Sequence, residues 1–373
     1  MSNLTLILLA AGSSSRFELD VKKQWLRIAE QPLWQFVAKR CENIGHFEKI
    51  IITSSQEDIE FMKSHADYTF VTGGSSRQQS LKNSLKHVDT EYVLVSDIAR
   101  ACISEAFFKK IISCVGISDC VVPYLGVSDT IVYDGKTIDR ERVKRVQTPQ
   151  LSRTSALKSA LLQQEEFTDE SSAIVANGGS REFILGEEAS HKITKITDLK
   201  ELSCLKPPSN DTLSGTGFDV HAFDDKGEMY LGGVKIESEY GFKAHSDGDV
   251  AIHALIDALL GAAGMGDIGM MFPDNDENYK GIDSKELLHV VVRKLRNFGF
   301  VIINVDLTIA AQKPRIGEYK IQMRKTLSAI LNIESQRVNI KATTTEKLGF
   351  IGRGEGVGVI ANVNLKYFDW TKI

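Results

Sequence analysis

The sequence predicts two folded units in series. An α/β doubly wound, mainly parallel sheet comes first, followed by a separate α+β domain with helices on one face of a sheet. Three observations predict this. The chain has 373 residues, more than the ~150 typical of one domain. All five cysteines precede residue 205, whereas 19 of the 29 glycines follow it, so the halves differ in build. The first half alternates short β-rich runs with helical periods, the pattern of a parallel α/β sheet, and the second has fewer and longer elements.

In the first half, strands are predicted at residues 4–9, 49–53, 68–71, 92–95 and 120–123, with helices between them at 33–41, 59–65, 76–87 and 105–115. Ligands of such sheets lie beyond the carboxyl ends of the strands, so the residues that follow each strand are the ones to inspect. Lys206-Pro207-Pro208-Ser209-Asn210-Asp211 lacks periodicity and carries two prolines that disfavour helix and ladder. The expected organisation is therefore a domain over 1–205, a linker over 206–212 and a domain over 213–373. In the second domain, strands are expected at 217–223, 229–234, 300–310, 337–342 and 357–365, and helices at 247–262, 284–298 and 316–331. His289 falls on the apolar side of Leu287, Leu288, Val291 and Val292 and reads as a core or interface histidine.

Composition excludes several classes of function. Lys and Arg number 45 against 49 Asp and Glu, a net charge of −4, with 42% apolar residues. Such a balance suits a globular protein and offers no basic surface for nucleic acid. No apolar run approaches the ~18–20 residues of a membrane helix, and the stretch from Leu4 to Ala11 lacks the basic leader of a signal peptide. A cytoplasmic protein is expected. Cys41, Cys102, Cys114, Cys120 and Cys204 are odd in number and form no C-x-x-C pair, so they read as free thiols. A chain this long buries roughly 70% of its surface without help from a metal, so any metal site here points to chemistry.

After the first strand comes Ala10-Ala11-Gly12-Ser13-Ser14-Ser15-Arg16, with Lys22-Lys23-Gln24 shortly beyond. Small residues let backbone N–H groups approach a phosphate chain, and Arg16 and Lys23 can supply charge. Three further stretches follow later strands: Gly73-Gly74-Ser75-Ser76-Arg77-Gln78-Gln79-Ser80, Val95-Ser96-Asp97-Ile98-Ala99-Arg100 and Asp129-Thr130. Together they resemble the 2-C-methyl-D-erythritol 4-phosphate cytidylyltransferase family of nucleotidyltransferases. The resemblance implies CTP as substrate, with Arg16 and Lys23 stabilising the α-phosphate transition state and the pyrophosphate. It implies that Ala10, Ala11, Gly74, Ser75 and Ser80 surround cytosine and that Asp97 holds Mg²⁺ and ribose. Thr130, Arg140 and Lys195 would hold the methylerythritol phosphate, Arg140 reaching across from a second subunit. The sequence departs from the family at Gly12-Ser13-Ser14-Ser15-Arg16, where Gly-x-Gly-x-Arg is usual, and at Lys22, where proline is usual. It departs again at Asp97-Ile98-Ala99-Arg100-Ala101 and at Ser75, which replaces an aspartate.

In the second half, Asp219 and His221 are two apart on a predicted strand and so share a face. His253 lies on the helix that follows His245-Ser246-Asp247-Gly248-Asp249, where Ser246 and Asp249 have the spacing of an N-cap and its third helical residue. Three such ligands leave one tetrahedral position of a Zn²⁺ open, the mark of a catalytic site. Further on are Gly266-Asp267-Ile268-Gly269 and Ala342-Thr343-Thr344-Thr345-Glu346-Lys347-Leu348-Gly349. These motifs closely resemble the 2-C-methyl-D-erythritol 2,4-cyclodiphosphate synthase family. The resemblance implies Zn²⁺ on Asp219, His221 and His253, and Mg²⁺ on Glu346. It places Asp267 and Gly269 at ribose, His245 and Ser246 at phosphate, and Thr344 and Thr345 near the diphosphate. The 311–316 backbone would meet cytosine, and Arg315 stands where lysine is common.

The combined expectation is a bifunctional enzyme of isoprenoid precursor synthesis acting on small molecules. Trimers through the second half and dimers through the first would combine into a hexamer. The two steps are not consecutive, since a kinase step lies between them. The rival reading is an active synthase carrying a non-catalytic N-terminal module for nucleotide binding or dimerisation.

Overall fold

Alternating strands and helices build the first unit, which comprises residues 1–208 together with 369–373. The computed structural model describes residues 3–12, 17–163, 165–202, 204–225, 227–244, 246–273, 275, 279 and 281–373. Arg16 and His245 lie outside the described residues. Strand β1 (Leu4–Leu9) is buried along its whole length, as a parallel strand covered on both faces must be. There follow α1 (Leu33–Ile44), β2 (Lys49–Ser54), α2 (Gln56–Met62), β3 (Thr69–Thr72), α3 (Arg77–Leu85), β4 (Tyr92–Asp97), α4 (Glu105–Ile112) and β5 (Cys120–Leu125). Serines cap three of these helices: Ser55, Ser76 and Ser104 accept the N–H of Asp58, Gln79 and Phe107 respectively. Then come β6 (Arg145–Val146), β7 (Gln150–Arg153), α5 (Thr154–Ala160), α6 (Glu170–Ala176) and β8 (Arg181–Leu185).

The sheet order is β6-β5-β7-β4-β1-β2-β3, with β8 also paired to β5. Strand β1 lies parallel to both β4 and β2, so the chain departs to opposite sides from their carboxyl ends and leaves a crevice there. Sequence periodicity misses β6 to β8. These strands are short, and β7 is Gln150-Leu151-Ser152-Arg153, which carries little apolar alternation. It runs antiparallel between β4 and β5.

The cysteine expectation needs correction. Cys102, in the turn after β4, forms a disulfide with Cys204 at a Cα separation of 5.8 Å, while Cys41, Cys114 and Cys120 are buried free thiols. A separation of 102 residues along the chain conceals this pair, because connectivity is not written in the sequence. The end of the second domain also differs. Trp370 is buried in the first unit and donates its indole N–H to the Arg27 carbonyl at 2.7 Å.

The second unit spans residues 209–368. It contains β9 (Leu213–Asp224), β10 (Gly241–Phe242), α7 (Val250–Ala263), α8 (Ser284–Asn297), β11 (Phe300–Ala310), α9 (Lys320–Leu331), β12 (Val338–Thr343) and β13 (Gly356–Tyr367). The sheet order is β10-β9-β13-β11-β12. The apolar helix α7 packs on β9 and β13. This approach is close: a Cβ on Gly217 would lie 2.0 Å from the Ala254 carbonyl oxygen, and one on Gly215 would lie 2.1 Å from that of Ala258. On the other face of the sheet, Ser214 and Thr216 donate to Asn364 and Asn362, and Phe218 and Ile360 stand 61% and 43% exposed. His289 is exposed rather than buried, because the buried stripe of α8 runs through Leu287, Leu288, Val291, Val292 and Leu295 and passes it by.

Candidate active sites

At the switch point of the first unit lies a cavity of about 540 Å³. It is lined by Ala10, Ala11 and Gly12 after β1, by Gly74 to Arg77 and Ser80 at the start of α3, and by Asp97 to Ala99 after β4. The first two loops touch: a Cβ on Gly73 would come within 2.5 Å of the Ala11 Cβ, so glycine is what lets them meet. Ser80 ties the second loop to its helix, accepting the Gly74 N–H at 3.0 Å and donating to the Ser76 carbonyl at 2.9 Å.

Cations surround one carboxylate in this cavity. Lys192 Nζ donates to Asp97 Oδ2 at 2.8 Å, and Arg77 Nε donates to Asp97 Oδ1 at 3.3 Å. Burial pushes the Asp97 pKa up, but Arg77, Lys192 and Arg100 outweigh it and hold the group at about 2. Arg77 is itself braced by the fully buried Glu170 of α6, at 2.7 Å. Lys23 also lines the cavity and donates to the Ile193 carbonyl at 2.5 Å.

The structure thus gathers Ala10, Ala11, Lys23, Gly74, Ser75, Ser80 and Asp97, but three expected residues stand elsewhere. Thr130 and Arg140 are exposed, on either side of the hairpin Ile131–Tyr133 and Lys136–Ile138, and do not line the cavity. Lys195 is exposed as well, its backbone N–H held by Asp198 at 2.8 Å. Three residues earlier, Lys192 lines the cavity. Sequence reading missed Lys192 because two lysines lie in one short Lys-Ile-Thr-Lys run whose turn carries no periodic signal. Arg77 was visible beside Ser75, but its brace Glu170 lies 93 residues away.

In the second unit, Asp219, His221 and His253 converge, their ligand atoms all within 4.8 Å of one another. Asp219 Oδ2 is 3.2 Å from His221 Nε2 and 3.4 Å from His253 Nδ1. A tetrahedral ion with bonds of ~2.0–2.1 Å spans ligand-to-ligand edges of about 3.3 Å, so the three residues fit one. The outer nitrogens are held too, which orients the rings. His221 Nδ1 donates to the Gly248 carbonyl at 2.8 Å. His253 Nε2 is 3.1 Å from Ser284 Oγ and 3.1 Å from Ser246 Oγ, and Ser284 Oγ donates to Asp247 Oδ1 at 2.5 Å. Burial pushes the Asp219 pKa up, yet hydrogen bonds from the two histidines hold it far below the usual carboxylate range.

The helix start differs from expectation. Asp249, not Ser246, is the N-cap of α7, its Oδ1 accepting from Ala251 and Ile252, and it also accepts the Gly232 and Gly233 N–H groups at 2.8 and 2.6 Å. An acceptor with two carboxylate oxygens satisfies all four donors, which one hydroxyl cannot. Asp267 caps the short turn that contains Gly269, accepting the Met270 N–H at 2.8 Å. Arg315 is exposed on the loop after β11. Thr344, Thr345 and Glu346 form an exposed to half-buried loop after β12, where Thr344 Oγ1 donates to Glu346 Oε1 at 3.0 Å. Glu346 and Lys347 hold left-handed backbone, with φ of 51° and 64°, a conformation that costs non-glycine residues energy and gathers at functional sites. Glu346 stands outside the Asp219 cluster.

A switch-point cavity ringed by small-residue loops and cations in one unit, and an Asp-His-His centre in the other, define a two-domain enzyme of phosphoryl chemistry. Comparison with known proteins makes this particular. The family model for 2-C-methyl-D-erythritol 4-phosphate cytidylyltransferase (IspD) matches residues 4–204, and that of the YgbB family matches residues 213–366. A bifunctional enzyme IspD/IspF of Sulfurimonas denitrificans is 80% identical over 100% of this chain and 97% of its own, and one from Aliarcobacter butzleri is 54% identical over 100% of both. The solved structure of the bifunctional IspDF from Campylobacter jejuni superposes with a TM-score of 0.91 at 47% identity, covering 99% of this chain and 100% of its own. The chain belongs to the family of bifunctional IspD/IspF enzymes of isoprenoid biosynthesis, with an N-terminal cytidylyltransferase domain and a C-terminal cyclodiphosphate synthase domain.

Proposed function

We propose that the first unit joins CTP to 2-C-methyl-D-erythritol 4-phosphate. A phosphate oxygen of the acceptor forms a bond to the α-phosphorus of CTP, the bond to the β-phosphate bridging oxygen breaks, and pyrophosphate leaves. Ala10, Ala11, Gly74, Ser75 and Ser80 enclose the base. Lys23, together with Arg16, offsets the charge that develops at the α-phosphorus. Asp97 holds Mg²⁺ and ribose, with Lys192 as a cation beside it, while Thr130, Arg140 and Lys195 hold the methylerythritol phosphate. The observation that carries this reading is the convergence of Lys23, Arg77 and Lys192 on a small-residue cavity around one ionised carboxylate.

In the second unit, the 2-phosphate of 4-diphosphocytidyl-2-C-methyl-D-erythritol 2-phosphate attacks its own β-phosphorus, closing the 2,4-cyclodiphosphate and releasing CMP. Asp219, His221 and His253 hold Zn²⁺, which supplies Lewis acidity and a template when bound. Glu346 provides oxygen for Mg²⁺, Thr344 and Thr345 face the diphosphate, and Ser246 with His245 meets a phosphate. Asp267 and Gly269 sit at ribose, and Arg315 adds charge beside the cytosine loop. Thr130 and Arg140 lie outside their own chain's cavity, and Glu346 outside its own metal cluster, which supports sites completed between subunits. We place trimers on the open sheet face around Phe218 and Ile360 and dimers on the first unit, giving a cytosolic hexamer.

Paired variants test the assignment. Lys23→Ala lowers pyrophosphate release on the order of 10²- to 10³-fold, as for loss of one preorganised charge stabiliser, and leaves CMP release intact. Asp219→Asn does the reverse. Unchanged pyrophosphate release by Lys23→Ala removes that lysine from the mechanism.

A further inference from the structure

Beside the cytidylyltransferase cavity, but outside its lining, stands a carboxylate that the reaction does not use. Asp58 lies in the first turn of α2 with its side chain 1% exposed. Four donors converge on its two oxygens. Lys22 Nζ and Trp25 Nε1 reach Oδ1 at 2.9 and 3.0 Å, and Gln24 Nε2 and Ser54 Oγ reach Oδ2 at 2.9 and 3.2 Å. Three of these donors belong to residues 22, 24 and 25, the neighbours of Lys23. Residues Lys23–Trp25 form a single 3₁₀ turn, closed by the Trp25 N–H on the Lys22 carbonyl at 2.9 Å. The Trp25 ring also stacks on Phe61 of α2 at 5.2 Å. Lys23 itself departs from this cluster, lining the cavity and reaching the Ile193 carbonyl.

A buried carboxylate is expensive to desolvate and is a poor source of net stability. Here all its hydrogen-bond capacity is spent on Ser54 and on the segment that carries one cavity lysine. We propose that Asp58 is the positioning residue for Lys23, and that its ion pair with Lys22 fixes the backbone from which the Lys23 ammonium is aimed at the triphosphate. Lys22 sits at φ −67°, the value a proline ring imposes. The ion pair therefore supplies from the side chain the restraint that proline would supply covalently. Burial pushes the Asp58 pKa up, and the Lys22 charge with the Lys22, Gln24 and Trp25 hydrogen bonds more than reverses this, so the carboxylate stays ionised when its partners need it.

This inference rests on the cytidylyltransferase reading of the first unit. Its test uses the full chain in four forms: wild type, Asp58→Asn, Lys22→Ala and Lys22→Pro. Pyrophosphate release is measured at saturating CTP, Mg²⁺ and methylerythritol phosphate, alongside CTP affinity by calorimetry and CMP release from the second unit. Asp58→Asn and Lys22→Ala lower kcat on the order of 10- to 100-fold, the scale of a misplaced catalytic group. Lys22→Pro restores kcat to within about threefold of wild type, because the backbone is again set; CMP release stays constant throughout. A merely structural role would leave kcat of folded Lys22→Ala unchanged, and that result, or a Lys22→Pro as slow as Lys22→Ala, overturns the proposal. Should Asp58→Asn fail to fold, the two Lys22 variants decide alone. A wild-type protein that binds CTP but releases no pyrophosphate refutes the transferase reading instead. CTP affinity then judges the positioning: loss in Lys22→Ala with recovery in Lys22→Pro supports it, and equal affinity in all forms overturns it.

Discussion

His253 shows how much a single side chain's chemistry depends on what stands behind it. Its Nδ1 faces Asp219, and its Nε2 meets Ser284, which in turn donates to Asp247. Outer partners of this kind fix ring orientation and raise ligand basicity. Ser284→Ala is expected to weaken Zn²⁺ binding about 10- to 100-fold, measured by competition with a chromogenic chelator, while His253→Ala abolishes stoichiometric zinc and CMP release together. Full zinc occupancy in His253→Ala would contradict the ligand set. Asp219, His221 and His253 were legible from spacing and motif, because a strand pair and a helical histidine carry their own geometry. Ser284 and Asp247 were not, since their meeting depends on how α8 begins against the loop before α7. Lys192 was missed for a related reason: in a loop, sequence proximity does not say which of two lysines turns inward.

The elements set the distances on which those side chains depend. Gly217 lies two residues before Asp219 on β9, and its closest neighbour, Ala254, directly follows His253 on α7. The glycine contact therefore fixes the gap between the strand ligands and the helix ligand. Gly217→Ala forces the two backbones apart and is expected to cost about 1–3 kcal/mol, the usual range for overpacking, with a parallel loss of zinc affinity. Thermal unfolding with and without chelator checks this; an unchanged midpoint and unchanged metal binding would show that the contact has slack. Strands buried on both faces were readable as continuous apolar runs, and amphipathic helices as a periodic apolar stripe. The short strands β6 to β8, two of them antiparallel, left no such trace, and the start of α7 moved to Asp249 because a buried carboxylate outcompetes a serine for the cap.

At the scale of the whole molecule, each half carries its own candidate site, so the activities should separate by mutation. The two-unit division was readable from the placement of cysteine and glycine, but the return of residues 369–373 to the first unit was not, since a five-residue tail anchored by Trp370 carries no domain-sized signal. The Cys102–Cys204 pairing was hidden in the same way. Sites completed between subunits predict a hexameric mass in sedimentation velocity. They also predict a complementation effect: mixing Lys23→Ala with Arg140→Ala subunits restores part of the pyrophosphate release that each lacks alone. A monomer of full activity would refute shared sites.

The most direct test of the account is pyrophosphate release by the purified full-length protein given CTP, Mg²⁺ and methylerythritol phosphate, with other sugar phosphates as controls and CMP release followed in the same preparation. The account predicts pyrophosphate release specific to methylerythritol phosphate together with active CMP release. Silence with every acceptor, in protein whose second unit still releases CMP, would contradict it and reduce the first unit to a binding module.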